Sequence, residues 1–332
     1  MKTLRACKFA LCAGLALAFS ATCNVAQEVP VREGQTIQVN VDRVNVGVIV
    51  TDAKGNFVSG LKRDQFHVFD NGAEQAISEF APVEEPGQIF LLVEAGPAVY
   101  FLQDTHLFAA DTFLNGLSAG DRVAIARYAE APVAVLDFTA EKRVAQAALT
   151  GVRFNVGFGQ LNLSSSLNTV LDWLARVAGK KTIVLLSTGV DTSPQEAINA
   201  IQTRLQTSDV RILAVSMSGP MRNGKVGNKK QVQQTQQVFE EADARLRALA
   251  EATGGRAYFP QNAKEFAAIY KQMAQLIRNE YSLSFVPPVS DGAVHSIEVK
   301  VDLPGGALKN KVPDYRVDHR RAYVAPKAPA GQ

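Results

Sequence analysis

Apolar residues in this chain first run unbroken, then alternate, then form short blocks separated by helical stripes, and finally alternate again. The first run, roughly Phe9 to Ala21, follows a basic start of Lys2, Arg5 and Lys8. It is too short to span a bilayer comfortably and has the layout of an export signal. Cleavage is expected after Ala18, Ser20 or Ala26, and Gln27-Glu28-Val29-Pro30 favours the last. Residues 1–26 are therefore expected to be a signal peptide. Ser20-Ala21-Thr22 is a poor lipobox for Cys23, so no lipid anchor is expected.

The alternating stretch covers residues 35–50. Ile37, Val39 and Val41 share one phase, and Val44, Val46, Val48 and Val50 the other, which predicts strand with a bend near Asp42-Arg43. Asp52–Asn56 and Asp70-Asn71-Gly72 read as turns around a short strand at Phe66–Phe69. Residues 28–82 are expected to form a small β-unit.

From Gln88 the pattern changes. Ile89–Val93 is continuously apolar, as suits a strand buried on both faces. Further strands are expected at 123–128, 133–138, 182–187, 210–217 and 256–259. Helices are expected between them, with Trp173 in the core beside Val170, Leu174 and Val177. A polar segment, 218–236, reads as a loop running into a helix. Phe266, Ile269, Tyr270, Met273, Leu276 and Ile277 mark a last amphipathic helix. Residues 86–279 thus predict an α/β, Rossmann-like domain with a mostly parallel sheet covered on both faces. Alternation at Tyr281–Phe285 and Ile297–Leu303 makes 280–324 a C-terminal β-segment completing the small β-unit. Residues 325–332, rich in Pro and Ala, are expected to be disordered.

Composition narrows the function. The formal charge is +3, but without residues 1–26 the chain holds 32 basic and 32 acidic side chains. A neutral exported chain gives no electrostatic reason to bind nucleic acid. All three cysteines, Cys7, Cys12 and Cys23, lie in or beside the signal, so stability must come from the core, without disulfides. The mature chain has no apolar run long enough for a transmembrane helix.

Several segments carry a family resemblance: Val44–Gly55 with Gly60-Leu61 and Asp64-Gln65-Phe66, then Phe69–Gly72, Leu249–Phe259 and Ile277–Phe285. In this order they make nearly the whole mature chain similar to secreted bacterial VWFA-related domain proteins. The resemblance implies a von Willebrand A-type domain flanked by β-segments and used for protein interaction. In such domains a divalent cation sits at the C-terminal edge of the sheet. It is held by an Asp-x-Ser-x-Ser motif, a Thr from a later loop and a further Asp, a hard oxygen-rich set that suits Mg²⁺.

Set against that pattern, Glu94 occupies the aspartate position and Gly96 and Ala98 the serine positions, with Pro97 between them. The threonine position falls on Leu161, or on Asn162 if the loop slips by one residue. The last aspartate position is Thr188. The usual coordination is therefore impossible, and no cofactor is expected. A substitute cation held by Glu94, Asp191 and Asp104 or Asn162 is the alternative. Asp191 also reads as a turn or N-cap residue before a helix at Pro194. Glu94, Pro97, Asn162, Thr188 and Asp191 are the expected partner-binding rim.

The remaining chemistry is sparse. His67, His106, His295 and His319 show no ligand spacing, and Ser164-Ser165-Ser166 reads as a helix start, without a nucleophile elbow. Arg222, Lys225, Lys229 and Lys230 read as a solvated loop. Arg316, His319, Arg320 and Arg321 beside Tyr315 and Tyr323 read as a glycan or polyanion contact or as a protected edge strand. The sequence predicts a non-enzymatic periplasmic or extracellular module with a protein partner in the envelope or outside the cell. A metal-dependent adhesion module and an envelope hydrolase are the other readings.

Overall fold

Alternation decides the first strands. A computed structural model describes residues 43–83, 85–96, 103–154, 159–219, 229–303 and 315–327. The expected signal peptide, Pro97, Ala98, Arg222 and Lys225 lie outside these residues, as do the side chains of Asp104 and His106. In β1 (Val44–Asp52), Val44, Val46, Val48 and Val50 face inward. A 3₁₀ turn (Arg63–Gln65) leads into β2 (Phe66–Asp70). The hairpin to β3 (Ala73–Gln75) turns at Asn71 and Gly72, with φ of 47° and 82°, the backbone that an Asn-Gly pair supplies at little cost. β4 (Ile77–Val83) closes this half.

The α/β domain follows: β5 (Gln88–Glu94), α1 (Gln103–Gly116), β6 (Arg122–Tyr128), β7 (Pro132–Thr139), α2 (Lys142–Thr150), α3 (Leu163–Leu174), β8 (Lys181–Ser187), α4 (Gln195–Thr207), β9 (Val210–Ser216), α5 (Lys229–Ala252), β10 (Arg256–Tyr258) and α6 (Ala263–Arg278). Its sheet has the order β10-β9-β8-β5-β6-β7, parallel except for β7. This is a doubly wound order with its topological switch between β5 and β8. α1, α2 and α6 cover one face through Phe113, Leu149, Tyr270 and Met273. α3, α4 and α5 cover the other through Leu167, Val170, Leu205 and Leu246. The predicted α/β class and two-sided covering are what the structure has.

β11 (Glu280–Phe285), β12 (Val294–Val301), β13 (Tyr315–Asp318) and β14 (Ala322–Val324) return to the first half. They complete two four-stranded sheets, β13-β1-β11-β4 and β14-β12-β2-β3. These share a core of β1 valines with Phe66, Val68, Tyr281, Leu283, Phe285, Ile297 and Val299. β12 alternates without a break, its inward set being His295, Ile297, Val299 and Val301.

Two expectations, on Ala325 and Trp173, need correction. Ala325 is buried and its N–H donates to the Ala293 carbonyl at 2.8 Å, so order persists into the stretch predicted to be disordered. α5 is helical from Lys229, within the segment read as a loop running into a helix. Trp173 is 39% exposed, its ring tilted against Phe90 at 6.1 Å between centroids. Of the two readings of the basic cluster near the C-terminus, the edge strand is what the structure has, since β13 and β14 both lie at sheet edges. Arg316 donates to Asp318, Arg320 donates to the Asn45 carbonyl, and His319 is buried with Nε2 accepting from the Val299 N–H at 3.1 Å.

The domain and the β-unit meet through buried charge. Arg211 Nη1 donates to Glu280 Oε2 at 2.8 Å and its Nη2 to the Gly47 carbonyl at 3.2 Å. Lys180 Nζ lies 3.2 Å from the same Oε2, within ion-pair range though not aligned as a hydrogen bond. Arg256 donates to Asp318 and to Thr51 Oγ1.

Gly255 sets how closely α5's end approaches β9. A Cβ there would lie 1.8 Å from the Ile212 carbonyl oxygen. Gly255→Ala is expected to lower stability by about 1–3 kcal/mol through forced displacement of β10 from β9, measured by urea unfolding.

Candidate functional site

Strands β5, β6 and β8 have apolar centres and end in Glu94, Tyr128 and Ser187. Register pairs Glu94 with Tyr128 across β5 and β6. All three are fully buried at the C-terminal edge of the sheet, the edge where doubly wound folds bind ligands.

Donors converge on Oε2 of the Glu94 carboxylate. Oε2 accepts from the Thr188 N–H at 2.7 Å, Thr188 Oγ1 at 2.9 Å, Ser187 Oγ at 3.1 Å and Tyr128 Oη at 3.2 Å. Thr188 Oγ1 also lies 3.0 Å from Oε1. Tyr128 and Ser187 share a 2.7 Å hydrogen bond, and Ser187 Oγ accepts from the Gly189 N–H at 2.9 Å. Burial is the largest influence on Glu94 and raises its pKa above the usual carboxylate range, while the Thr188, Ser187 and Tyr128 donors pull it back. Burial, then the Glu94 charge, pushes the Tyr128 phenol well up.

Above the carboxylate lies hydrocarbon. A Cβ added to Gly96 would meet Leu161 Cδ2 at 2.8 Å and Glu94 Oε1 at 3.6 Å. The half-buried Leu161 side chain therefore occupies the space beside Glu94 where serine and threonine hydroxyls would be needed. Its loop is fixed. The Leu161 N–H donates to Thr192 Oγ1 at 2.8 Å, the Thr192 N–H donates to the Leu161 carbonyl at 2.7 Å, and the Asn162 N–H reaches the Ala129 carbonyl at 2.8 Å.

The structure thus brings Glu94, Gly96, Leu161 and Thr188 together, while Asn162 and Asp191 are engaged by other partners. Asn162 Nδ2 donates to the Glu130 carbonyl and its Oδ1 accepts from Thr192 Oγ1, both at 3.0 Å. Asp191 Oδ2 accepts from Ser164 N at 3.2 Å and Ser164 Oγ at 2.5 Å, and Oδ1 accepts from the Ser193 N–H at 3.0 Å. Asp191 therefore caps α3, not the helix at Pro194, and the Ser164–Ser166 run takes its cap from outside. Sequence reading missed Tyr128 and Ser187. For Ser187 the available signal was a polar residue ending the apolar run Ile183–Leu186; for Tyr128, after Arg127, there was none.

Among the described residues the Glu94 carboxylate already accepts from protein donors through Oε2, and Leu161 lies beside the Gly96 position next to it. Among the described residues no group of three or more His, Cys, Asp or Glu side chains converges on a point. The serine hydroxyl at Ser187 is buried and faces Tyr128 and Glu94, with no imidazole beside it.

No family model and no curated protein matches the chain. Among solved structures the chain is similar to a von Willebrand factor type A protein from Catenulispora acidiphila, at 11% identity over 87% of this chain and 75% of that one, with a TM-score of 0.43. It is also similar to the manganese-loaded TRAP protein of Plasmodium vivax, at 15% identity over 76% of this chain and 98% of that one, with a TM-score of 0.42. The vWF domain of the type V pili tip protein Mfa5 from Porphyromonas gingivalis matches at 12% identity over 59% of this chain and 96% of that one, with a TM-score of 0.43. Identities and scores this low carry no functional argument. The strand order described above establishes the fold.

Proposed function

We propose that this chain, a doubly wound α/β domain of von Willebrand A type carried on a two-sheet β-unit, is an exported non-enzymatic interaction module whose rim engages a protein partner without a cation. One observation carries the reading: the carboxylate that would anchor a metal is satisfied by donors from Tyr128, Ser187 and Thr188, with Leu161 beside it. Glu94 then does a cation's structural work, tying the ends of β5, β6 and β8 together by hydrogen bonds. The partner surface is the rim around it, including Asn162 and Asp191; Glu94 and Thr188, expected in that rim, are buried beneath it. Periplasmic or extracellular placement follows from the N-terminal signal pattern. Among the described residues no helix is long and apolar enough to cross a membrane.

Calorimetric titration with Mg²⁺, Mn²⁺ and Ca²⁺ tests the cation-free part. No heat of binding is expected with any of the three. A site abolished by Glu94→Ala would instead establish a metal-dependent module. Crosslinking capture from the native envelope, with and without EDTA, tests the interaction: the same partner band is expected in both lanes, and its loss with EDTA would overturn the reading.

A further inference from the structure

The inward-facing set of β12 holds one polar side chain, His295, beside Ile297, Val299 and Val301. Its ring is only 4% exposed and stands edge-on to Tyr323, with 5.4 Å between ring centroids. Both ring nitrogens face carboxylates. Nδ1 lies 2.9 Å from Asp70 Oδ1, at the end of β2. Nε2 lies 3.3 Å from Asp291 Oδ2, in the turn that leads into β12. Tyr323 Oη, on β14, donates to Asp70 Oδ2 at 3.1 Å. Among the described residues, Asp70, Tyr323 and Asp291 are the titratable groups that face the ring. From β11 the nearest contribution is Phe285, edge-on to Tyr323.

A neutral imidazole carries one N–H and can donate to only one of these two carboxylates. Asp70 is buried, whereas Asp291 is open to water. The single proton therefore belongs on Nδ1, where it satisfies Asp70, and the Nε2 lone pair then points at Asp291 Oδ2 and repels it. An imidazolium donates to both, each bond assisted by charge. The hydrogen bond to Asp291 is the largest influence on His295 and raises its pKa above the usual 6.5; burial opposes the rise and Asp70 adds to it.

Asp291 is also the turn on which the C-terminal stretch rests. Its Oδ1 accepts from the Ala293 N–H at 2.8 Å. Gly292, at a φ of 72°, donates to the Pro326 carbonyl at 3.2 Å, and the Ala325 N–H donates to the Ala293 carbonyl. Asp291 and Lys327 form an isolated antiparallel bridge, and a Cβ on Gly292 would lie 2.7 Å from Lys327 Cγ. We propose that His295 is a proton-operated latch: its imidazolium holds the Asp291 turn closed on residues 325–327, and its neutral form lets that stretch come away from the start of β12. A basic group whose pKa is raised by folding stabilises fully below its unfolded pKa and loses that contribution as pH rises through the folded one. The latch is therefore closed in mildly acidic surroundings and opens as the pH climbs. It works the same way whether or not the Glu94 site binds a cation.

Amide hydrogen exchange on the mature chain, read by NMR from about pH 5.5 to about pH 9 and corrected for intrinsic rates, tests it. Protection of the Gly292 and Ala325 amides, relative to amides of the β1–β11 pair, is expected to fall at least about tenfold as pH rises, the equivalent of one charge-assisted hydrogen bond. The fall should track the titration of the His295 ring resonances. Asp291 is exposed, so its variants leave the core intact. Asp291→Asn keeps an acceptor for the Ala293 N–H and offers an amide N–H to the neutral Nε2. In that variant protection should no longer fall as pH rises, and the His295 midpoint should move down. Asp291→Ala removes the acceptor and should leave residues 325–327 poorly protected at both ends of the range. Protection in the parent that is flat with pH, or a pH dependence that survives unchanged in Asp291→Asn, would overturn the proposal.

Discussion

Glu94→Ala is expected to lower the unfolding free energy by about 3–5 kcal/mol, a size reserved for removal of one member of a buried polar network. The substitution leaves the Thr188 N–H and the Thr188, Ser187 and Tyr128 hydroxyls facing a cavity with no acceptor. Leu161 keeps water away on the remaining side. Glu94→Gln keeps the volume and one carbonyl oxygen but aims an NH₂ at groups that are themselves donors, so a smaller loss is expected. Urea unfolding at neutral pH measures both. A loss under about 1 kcal/mol for the alanine variant would mean the carboxylate does not hold the three strand ends together.

The pH dependence follows from the same burial. Glu94's folded pKa lies above its unfolded value of 4.5. Its contribution is therefore fully present below the unfolded pKa and is lost as pH rises through the folded one. Comparing the Gln variant with the parent across that range isolates this contribution.

Glu280→Ala is the second large effect, also about 3–5 kcal/mol, because it strands Arg211 and Lys180 in a largely buried seam with no counter-charge. Burial acts to raise the Glu280 pKa, but Arg211 and then Lys180 outweigh it and hold the carboxylate below its usual range. Lys180 is pushed from 10.5 down to about 8, chiefly by burial, with Arg211 adding to the depression while Glu280 opposes it. A base depressed by folding stabilises most above its unfolded pKa and loses that contribution as pH falls through the folded one. Lys180 thus adds stability as pH rises from about 8 towards 10.5. Lys180→Met should remove that rise. The Glu280→Ala penalty should shrink above pH 8, where the orphaned lysine can shed its proton. Chemical unfolding at a series of pH values checks both.

Much of this was legible in the chain because it is local. The β1 valines, the Asn71-Gly72 turn, the continuous run at Ile89–Val93 and the alternation of β12 each declare their element through spacing alone. The missing hydroxyls at Gly96 and Leu161 were equally plain once the strand end was placed. What stayed hidden depends on partners distant in sequence. Arg211 and Glu280 are 69 residues apart, and Ser164 and Asp191 are 27 apart, so neither link has a local signature. Trp173 misled because helical periodicity names a face but not how far the neighbouring strands extend beneath it.

The β-unit is split in sequence: β1 to β4 precede the α/β domain and β11 to β14 follow it. Its two halves are joined by bonds such as Ser284 to Asn45, 239 residues apart. For an unfolded chain, closing so long a loop is entropically costly and slow. Val83 and Glu280, which flank the α/β domain, are direct partners across β4 and β11. Once the inserted domain has folded, its ends are already side by side and the effective loop shrinks to almost nothing. The insertion therefore acts as the folding template for the unit that surrounds it. The sandwich should acquire its protection against hydrogen exchange last, and lesions deep in the α/β sheet should slow the formation of strands they never touch.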